Sequence, residues 1–231
     1  MKKKVIVLSL GGSLIIPDNV DYKFLKKFKK VLLKNTNKYK FVVVCGGGSI
    51  ARKYIFALKK QGINKKMQSM AGISATRMNA RFMTYFFGDD AQKGIPHTKK
   101  QVKSQILKKD IIFCGSLRYH KKETSDSVAA KLADYFQTIF INITNVSGLH
   151  NKNPLKYKNA KFIPKISWKE FYKMANKLKY QPGQHFVLDQ TAAEIIMKNK
   201  IKTYIIGKNL KNLNNILKGK KFKGTIIQGQ L

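Results

Sequence analysis

Carboxylates are scarce in this chain: 11 Asp and Glu stand against 47 Lys and Arg in 231 residues, a net charge of +36 at pH 7. A field of that size draws phosphates, nucleic acids and acidic membranes without any dedicated site. Lysine pairs are nevertheless dispersed, at 26–27, 59–60, 65–66, 99–100, 108–109, 121–122 and 220–221, whereas a nucleic-acid footprint clusters on one face. Charge alone therefore predicts lysine-rich solvated faces and non-specific polyanion binding, no more. Cysteine is equally sparse. Cys45 and Cys114 each close an apolar run, as small buried thiols do, and they suggest a reducing compartment. No Cys-x-x-Cys or Cys/His spacing occurs and the four histidines lie far apart, so no zinc site is expected. No apolar run approaches the roughly 18 residues of a membrane span, and a soluble, cytoplasmic protein is expected. With 5 Pro, 16 Gly and 43% hydrophobic residues, collagen-like, low-complexity and coiled-coil classes are excluded. What remains is a globular chain long enough to bury a large core unaided.

The start, Met-Lys-Lys-Lys followed by Val5 to Leu10, imitates a signal peptide, but Gly11, Gly12 and Ser13 interrupt the apolar stretch and no small-x-small cleavage pattern follows. A core strand ending in a glycine turn is expected instead. Further strands are predicted at Phe41 to Cys45, Asp110 to Cys114, Thr138 to Thr144, Lys202 to Ile206 and Gly224 to Gln228. Helices are predicted over Tyr22 to Leu33, Ile50 to Lys60, Lys66 to Phe87, Ser125 to Phe136, Trp168 to Leu178, Leu188 to Lys198 and near Leu210 to Leu217. Residues 145–166 read as a polar loop and Pro182-Gly183 as a turn. Alternation of helices with unbroken apolar strands predicts α/β layers around a mostly parallel sheet.

Two glycine clusters follow strands, Gly11-Gly12-Ser13 and Gly46-Gly47-Gly48-Ser49. Glycine lets backbone N–H groups reach phosphate oxygens, and a helix starting just afterwards adds the positive end of its dipole. Either cluster taken alone fits a tight strand-to-helix turn as well. Gly46-x-Gly48-x-x-Ala51 satisfies a loose dinucleotide fingerprint, yet no acidic residue follows about 20 positions on, where Lys65-Lys66-Met67-Gln68-Ser69 stands. The Walker pattern is absent. Nine of the 11 acids read as surface carboxylates in loops or on solvent faces, Glu123 among them. Asp126 and Asp189 differ: each opens a predicted helix beside hydroxyl-bearing residues, as a cap or as a functional acid.

Val5 to Ser13, Cys45 to Ile55, Gly72-Ile-Ser-Ala-Thr-Arg-Met-Asn-Ala80 and Thr124-Ser-Asp-Ser-Val-Ala-Ala130 occur in the order found in the amino-acid kinase superfamily. Ile143 to Gly148, Asn153-Pro154 with Ala160-Lys161, Asp189 with Ala192-Ala193, and Gly224 to Ile227 extend the match over essentially the whole chain, which most resembles the archaeal-type uridylate kinases. The resemblance implies one domain over 1–231, a three-layer αβα sandwich with an acceptor half (1–145) and an ATP half (146–231). It implies phosphoryl transfer from ATP, with Mg2+, to UMP, in a homohexamer built from dimers; the Met- and Phe-rich segment Met67 to Phe87 reads equally as a contact helix or as an ordinary core helix. Carried over by position, Asp126 and Arg52 are catalytic; Ser9, Leu10, Gly11, Gly12, Ser13, Gly48 and Arg52 surround the ATP phosphate; Thr144, Asn145, His150 and Asn153 meet the ATP nucleoside. Gly46, Gly47, Ser69, Thr124 and Ser125 meet UMP, and no residue is assigned to a protein-built metal site. Lysines near the glycine loops are expected to help neutralise charge.

The chain departs from that pattern in places. Ser69 stands where the family commonly has an acid for the acceptor ribose, residues 116–123 lack the usual Pro-Gly, and Ser147-Gly-Leu-His150 replaces Asp-Gly-x-Tyr. These changes leave open a different small phosphate or carboxylate acceptor, or a non-catalytic nucleotide- or RNA-binding relative.

Overall fold

The computed structural model describes residues 3–121, 123–152, 154, 157–177 and 187–229. The first half runs β1 (Lys4–Leu10), α1 (Gly12–Ile15), α2 (Tyr22–Asn35), β2 (Tyr39–Cys45), α3 (Gly48–Lys60), α4 (Lys65–Phe87), α5 (Lys99–Lys108), β3 (Ile111–Cys114), α6 (Ser125–Tyr135) and β4 (Phe140–Ile143). Three short strands follow, β5 (Leu149–His150), β6 (Phe162–Ile163) and β7 (Lys165–Ile166). The chain then forms α7 (Trp168–Asn176), α8 (Gln190–Lys198), β8 (Thr203–Ile206), α9 (Leu210–Leu217) and β9 (Thr225–Ile227).

Period-two alternation decides the layering. Ile6, Leu8, Leu10, Phe41, Val43, Ile111 and Phe113 face one core with α2, α4 and α9. Val7, Val42, Val44, Ile112 and Cys114 face the other, with α5, α6, α7 and α8. Strands apolar on both faces must be covered on both, so two helical layers sandwich the sheet. Its order is β3-β2-β1-β4-β8-β9-β7. The pairs from β3 to β8 are all parallel, β9 pairs antiparallel with β8, and β7 runs parallel to β9 at the edge. The expected αβα sandwich is what forms, and one sheet draws on both halves of the chain, joined where β4 pairs with β8.

The differences from expectation are local. Helix α5 escapes a periodicity reading because lysines and glutamine surround its two buried residues, Val102 and Ile106, although Thr98 caps it through the Gln101 N–H. The stretch expected as polar loop carries β5, β6 and β7, each only two residues long. Strands this short have no alternation to read. Leu178, at the end of the helix predicted from Trp168, and the predicted turn at Pro182-Gly183 lie outside the described residues. Cys45 and Cys114 are free thiols buried in opposite cores. Burial pushes the Cys114 thiol up to about 12, and burial followed by the neighbouring Cys114 raises that of Cys45. Among the described residues no helix is long and apolar enough to cross a membrane.

Candidate active site

Strand β1 lies between β2 and β4, and the chain turns in opposite directions from it, which opens a crevice at the carboxyl ends of the parallel strands. Both glycine clusters emerge there, because Leu10 pairs in register with Cys45. The Gly46 N–H donates to the Leu10 carbonyl at 2.9 Å, and the Gly11 N–H to that of Ile143 at 2.9 Å. The two loops then touch backbone to backbone. A Cβ on Gly12 would stand 2.1 Å from the Gly48 nitrogen and 2.6 Å from the Gly46 carbonyl oxygen. Gly48, at φ +64°, occupies the left-handed region, where a Cβ would also meet the Gly12 oxygen at 2.7 Å. Ser49 ties the loop down by donating to the Ile16 carbonyl at 3.1 Å. Helix α3 begins at Gly48 with no side-chain cap and no acid in its first turn. Its first N–H groups and positive dipole end thus remain available to an anion.

Two further helix starts complete the crevice. Thr124 caps α6 in a reciprocal capping box with Ser127, and Asp189 caps α8 by accepting from the Ala192 N–H at 2.9 Å. The caps are joined: the Thr124 hydroxyl donates to Asp189 at 2.5 Å. Asp126, one residue into α6 beyond Ser125, accepts from the Ser9 hydroxyl at 2.7 Å. Burial first, then the nearby Asp189 carboxylate, pushes Asp126 up to about 7, against the Ser9 hydrogen bond. Burial likewise raises Asp189, opposed by its bonds from Thr124 and from backbone N–H groups. Two buried acids raised side by side mark a place where a cation or a proton is wanted.

The resulting cleft, of about 280 Å³, is lined by Gly11, Gly12, Ser13, Gly46, Gly47, Gly48, Arg52, Ser69, Thr124, Ser125 and Asp126, so these sequence-derived residues come together. Ser9 and Leu10 stand behind it. Ser9 is 1% exposed and reaches the cleft only through Asp126, while Leu10 is fully buried and contributes its carbonyl to Gly46. Ser69 spends its hydroxyl proton on the Lys65 carbonyl at 2.9 Å. Thr144 follows β4 directly behind Gly11, but neither it, Asn145 nor His150 lines this cleft. Asn145 accepts from the Thr144 hydroxyl at 3.3 Å. The His150 ring, on β5, lies 5.4 Å from that of Phe162, with Nδ1 3.1 Å from the Gly148 oxygen. Asn153 lies outside the described residues.

The surface reading of Glu123 is wrong: its side chain is 12% exposed, lines the cleft and is paired with Lys131. A lone acid in a basic loop is the available signal. Among the described residues the expected lysines do not line the cleft. Among the described lining residues Arg52 is the sole cation, beside Glu123, Asp126 and Asp189. In a chain of +36 the cleft is thus the acidic exception. Asp189, a candidate cap or functional acid in the sequence but not placed in the site, belongs to it, as do Thr76, Ser116 and Gln190. No group of three or more His, Cys, Asp or Glu converges as a metal site among the described residues. The Asp126/Asp189 pair suits Mg2+, which is commonly held by one or two carboxylates plus substrate phosphates.

Residues 4–207 match the model of the amino acid kinase family. The chain is 34% identical to the uridylate kinase of Thermococcus kodakarensis over 225 residues, covering 96% of this chain and 99% of the relative. It is 36% identical to the uridylate kinase of Thermoplasma volcanium, with 96% and 97% covered. Among solved structures, uridylate kinase from Archaeoglobus fulgidus superposes with a TM-score of 0.82 at 29% identity, over 96% of this chain and 99% of that one.

Proposed function

The chain belongs to the amino acid kinase family, and we propose that it transfers the γ-phosphoryl group of ATP to UMP, giving ADP and UDP. One observation carries the reading. A single cleft gathers two interlocked glycine loops, Arg52 and the Asp126/Asp189 pair, in a chain similar over its full length to uridylate kinases. A phosphate oxygen of UMP attacks the γ-phosphorus, that O–P bond forms, and the bond from the γ-phosphorus to the oxygen bridging to the β-phosphate breaks. The attacking oxygen is already ionised near pH 7, so positioning and charge neutralisation carry catalysis rather than a strong base. Backbone N–H groups of both loops and of the α3 start receive phosphate oxygens, and Arg52 offers a two-pronged contact to the group in flight. Asp126 and Asp189 would hold Mg2+ brought by ATP, which would neutralise phosphate charge. Without it, Asp126 is held between protonated and ionised at neutral pH.

In this reading residues 1–145 hold UMP, with Gly46, Gly47, Ser69, Thr124 and Ser125 around it, and 146–231 hold ATP. His150 and Phe162 offer the adenine an aromatic face. Met67, Met70, Met78 and Tyr85, exposed at near-helical spacing on α4, are suited to a dimer contact, from which a hexamer is built in the cytoplasm. Light scattering that finds a monomer at every salt concentration would reject this assembly.

The test of function is ADP production from Mg-ATP with UMP, CMP, AMP or no acceptor, in moderate salt. UMP-dependent turnover is expected. Turnover with another acceptor alone would move the reading to a different acceptor, as the changed residues 116–123 allow. Saturable nucleotide binding without any turnover would make this a binding relative.

A further inference from the structure

Helix α4 grips both loops of the acceptor wall with residues close together in sequence. Asn79 is buried and donates to the Gly46 carbonyl at 2.7 Å. Thr76 accepts from the Ser116 N–H at 2.9 Å. Arg77 donates through Nε to the Ser116 carbonyl at 3.1 Å and through its terminal guanidinium nitrogen to that of Leu117. The fit at this point is tight, since a Cβ on Gly115 would stand 2.6 Å from the Arg77 backbone nitrogen.

The use of Arg77 is unusual. Half buried, it meets no carboxylate among the described residues and spends its planar fork on two successive backbone carbonyls. Such a fork fixes the orientation of the peptide units it bridges, which a lysine ammonium, a point donor on a flexible stem, does not. Thr76 and Ser116 line the cleft, whereas Arg77 does not, so it acts on the site from behind. Beyond Leu117 the chain carries Arg118, His120 and Lys121, and Glu123 pairs with Lys131. The loop is therefore held at its two ends.

On the reading that UMP is the acceptor, we propose that Arg77 is a positioning residue for it. By fixing Ser116 and Leu117 relative to Gly46, which Asn79 holds on the same helix, Arg77 sets the width of the acceptor pocket. Its effect falls on acceptor binding and leaves the ATP side untouched.

The experiment is steady-state kinetics of wild type, Arg77→Lys, Arg77→Met and Arg77→Ala, varying UMP and Mg-ATP separately. Arg77→Met is expected to raise the KM for UMP by about 10- to 100-fold, the scale of one charged hydrogen bond. The KM for ATP should stay within about twofold and kcat within about threefold, with Arg77→Lys intermediate because one carbonyl can still be reached. Added methylguanidinium should lower the KM for UMP of Arg77→Ala and leave wild type unchanged. An unchanged KM for UMP in Arg77→Lys and Arg77→Met overturns the proposal. So does a joint loss of kcat and both affinities without methylguanidinium rescue, which marks a purely structural role. Absence of UMP turnover in wild type would sink the functional reading and this inference with it, whereas wild-type turnover with insensitive variants sinks the inference alone.

Discussion

The two halves of the chain build their parts of the site from different materials. In residues 1–145 backbone forms much of the cleft wall, as glycine loops at strand ends, helix starts and carbonyls held by α4, beside the side chains of Arg52, Glu123 and Asp126. Beyond residue 145 the expected contacts are side chains on short strands and loops, and His150 stands outside the cleft that the first half forms. Ala175, Leu188, Asp189 and Gln190 nevertheless reach the cleft from the second half, and Asp189 is locked to Thr124 of the first. Backbone-built binding depends on where residues have no side chain. Side-chain binding depends on which group a position carries, which the proposed role of His150 puts to the test.

That contrast can be broken by mutation. Gly12→Ala should do most damage, because its Cβ would meet backbone atoms of the partner loop that have no rotamer to change. A displacement near 1 Å costs about 100-fold in rate, and kcat/KM for both substrates should fall at least that far. Asp126→Asn comes next, with kcat lower by about 100- to 1,000-fold in the ADP assay. Arg52→Met should cost about 10- to 100-fold in kcat/KM, since one charged contact is lost while the glycine loops remain. His150→Ala sharpens the comparison from the other side: the KM for ATP rises by about 3- to 10-fold, the scale of one aromatic contact, and the KM for UMP stays put. If His150→Ala raised the KM for UMP instead, the division between the halves would be wrong.

The smallest effect is on stability. Folding raises Asp126 to about 7, so the folded state holds that proton more tightly than the unfolded chain does. The stabilisation is complete below the ordinary carboxylate pKa of about 4 and is lost as pH climbs through 7. The raised Asp189 works in the same direction. Asp126→Asn, still able to accept from Ser9, should therefore gain a few degrees in Tm relative to wild type at pH 8 and much less at pH 4. A gain that is equal at both pH values would remove the charge argument.

What can be read in advance follows the same division. Buried strands of four to seven residues, alternating between two cores, show themselves as Val-, Ile- and Phe-rich runs, and from them the layers follow. The glycine clusters and the hydroxyl-rich start of α6 are each contiguous in sequence, so their chemistry is legible there. Glu123 misleads because its burial depends on Lys131, a helix turn and more away, and on the walls of the cleft. The absence of lysines from the cleft is equally hidden: dispersed charge does not reveal which few positions the fold leaves uncharged. Helix α5 and the two-residue strands escape because each offers too few buried positions for a period.

The interlocked glycines also set what may vary. Gly12 and Gly48 each occupy the space the other's side chain would need, so neither position can be altered without its counterpart and the pair behaves as one fixed joint. Leu117 and Glu123 are instead each held through a side-chain partner, Arg77 and Lys131. On the proposed reading, a change of acceptor would therefore fall on residues around Ser116 and Glu123, with the glycine joint left as it is.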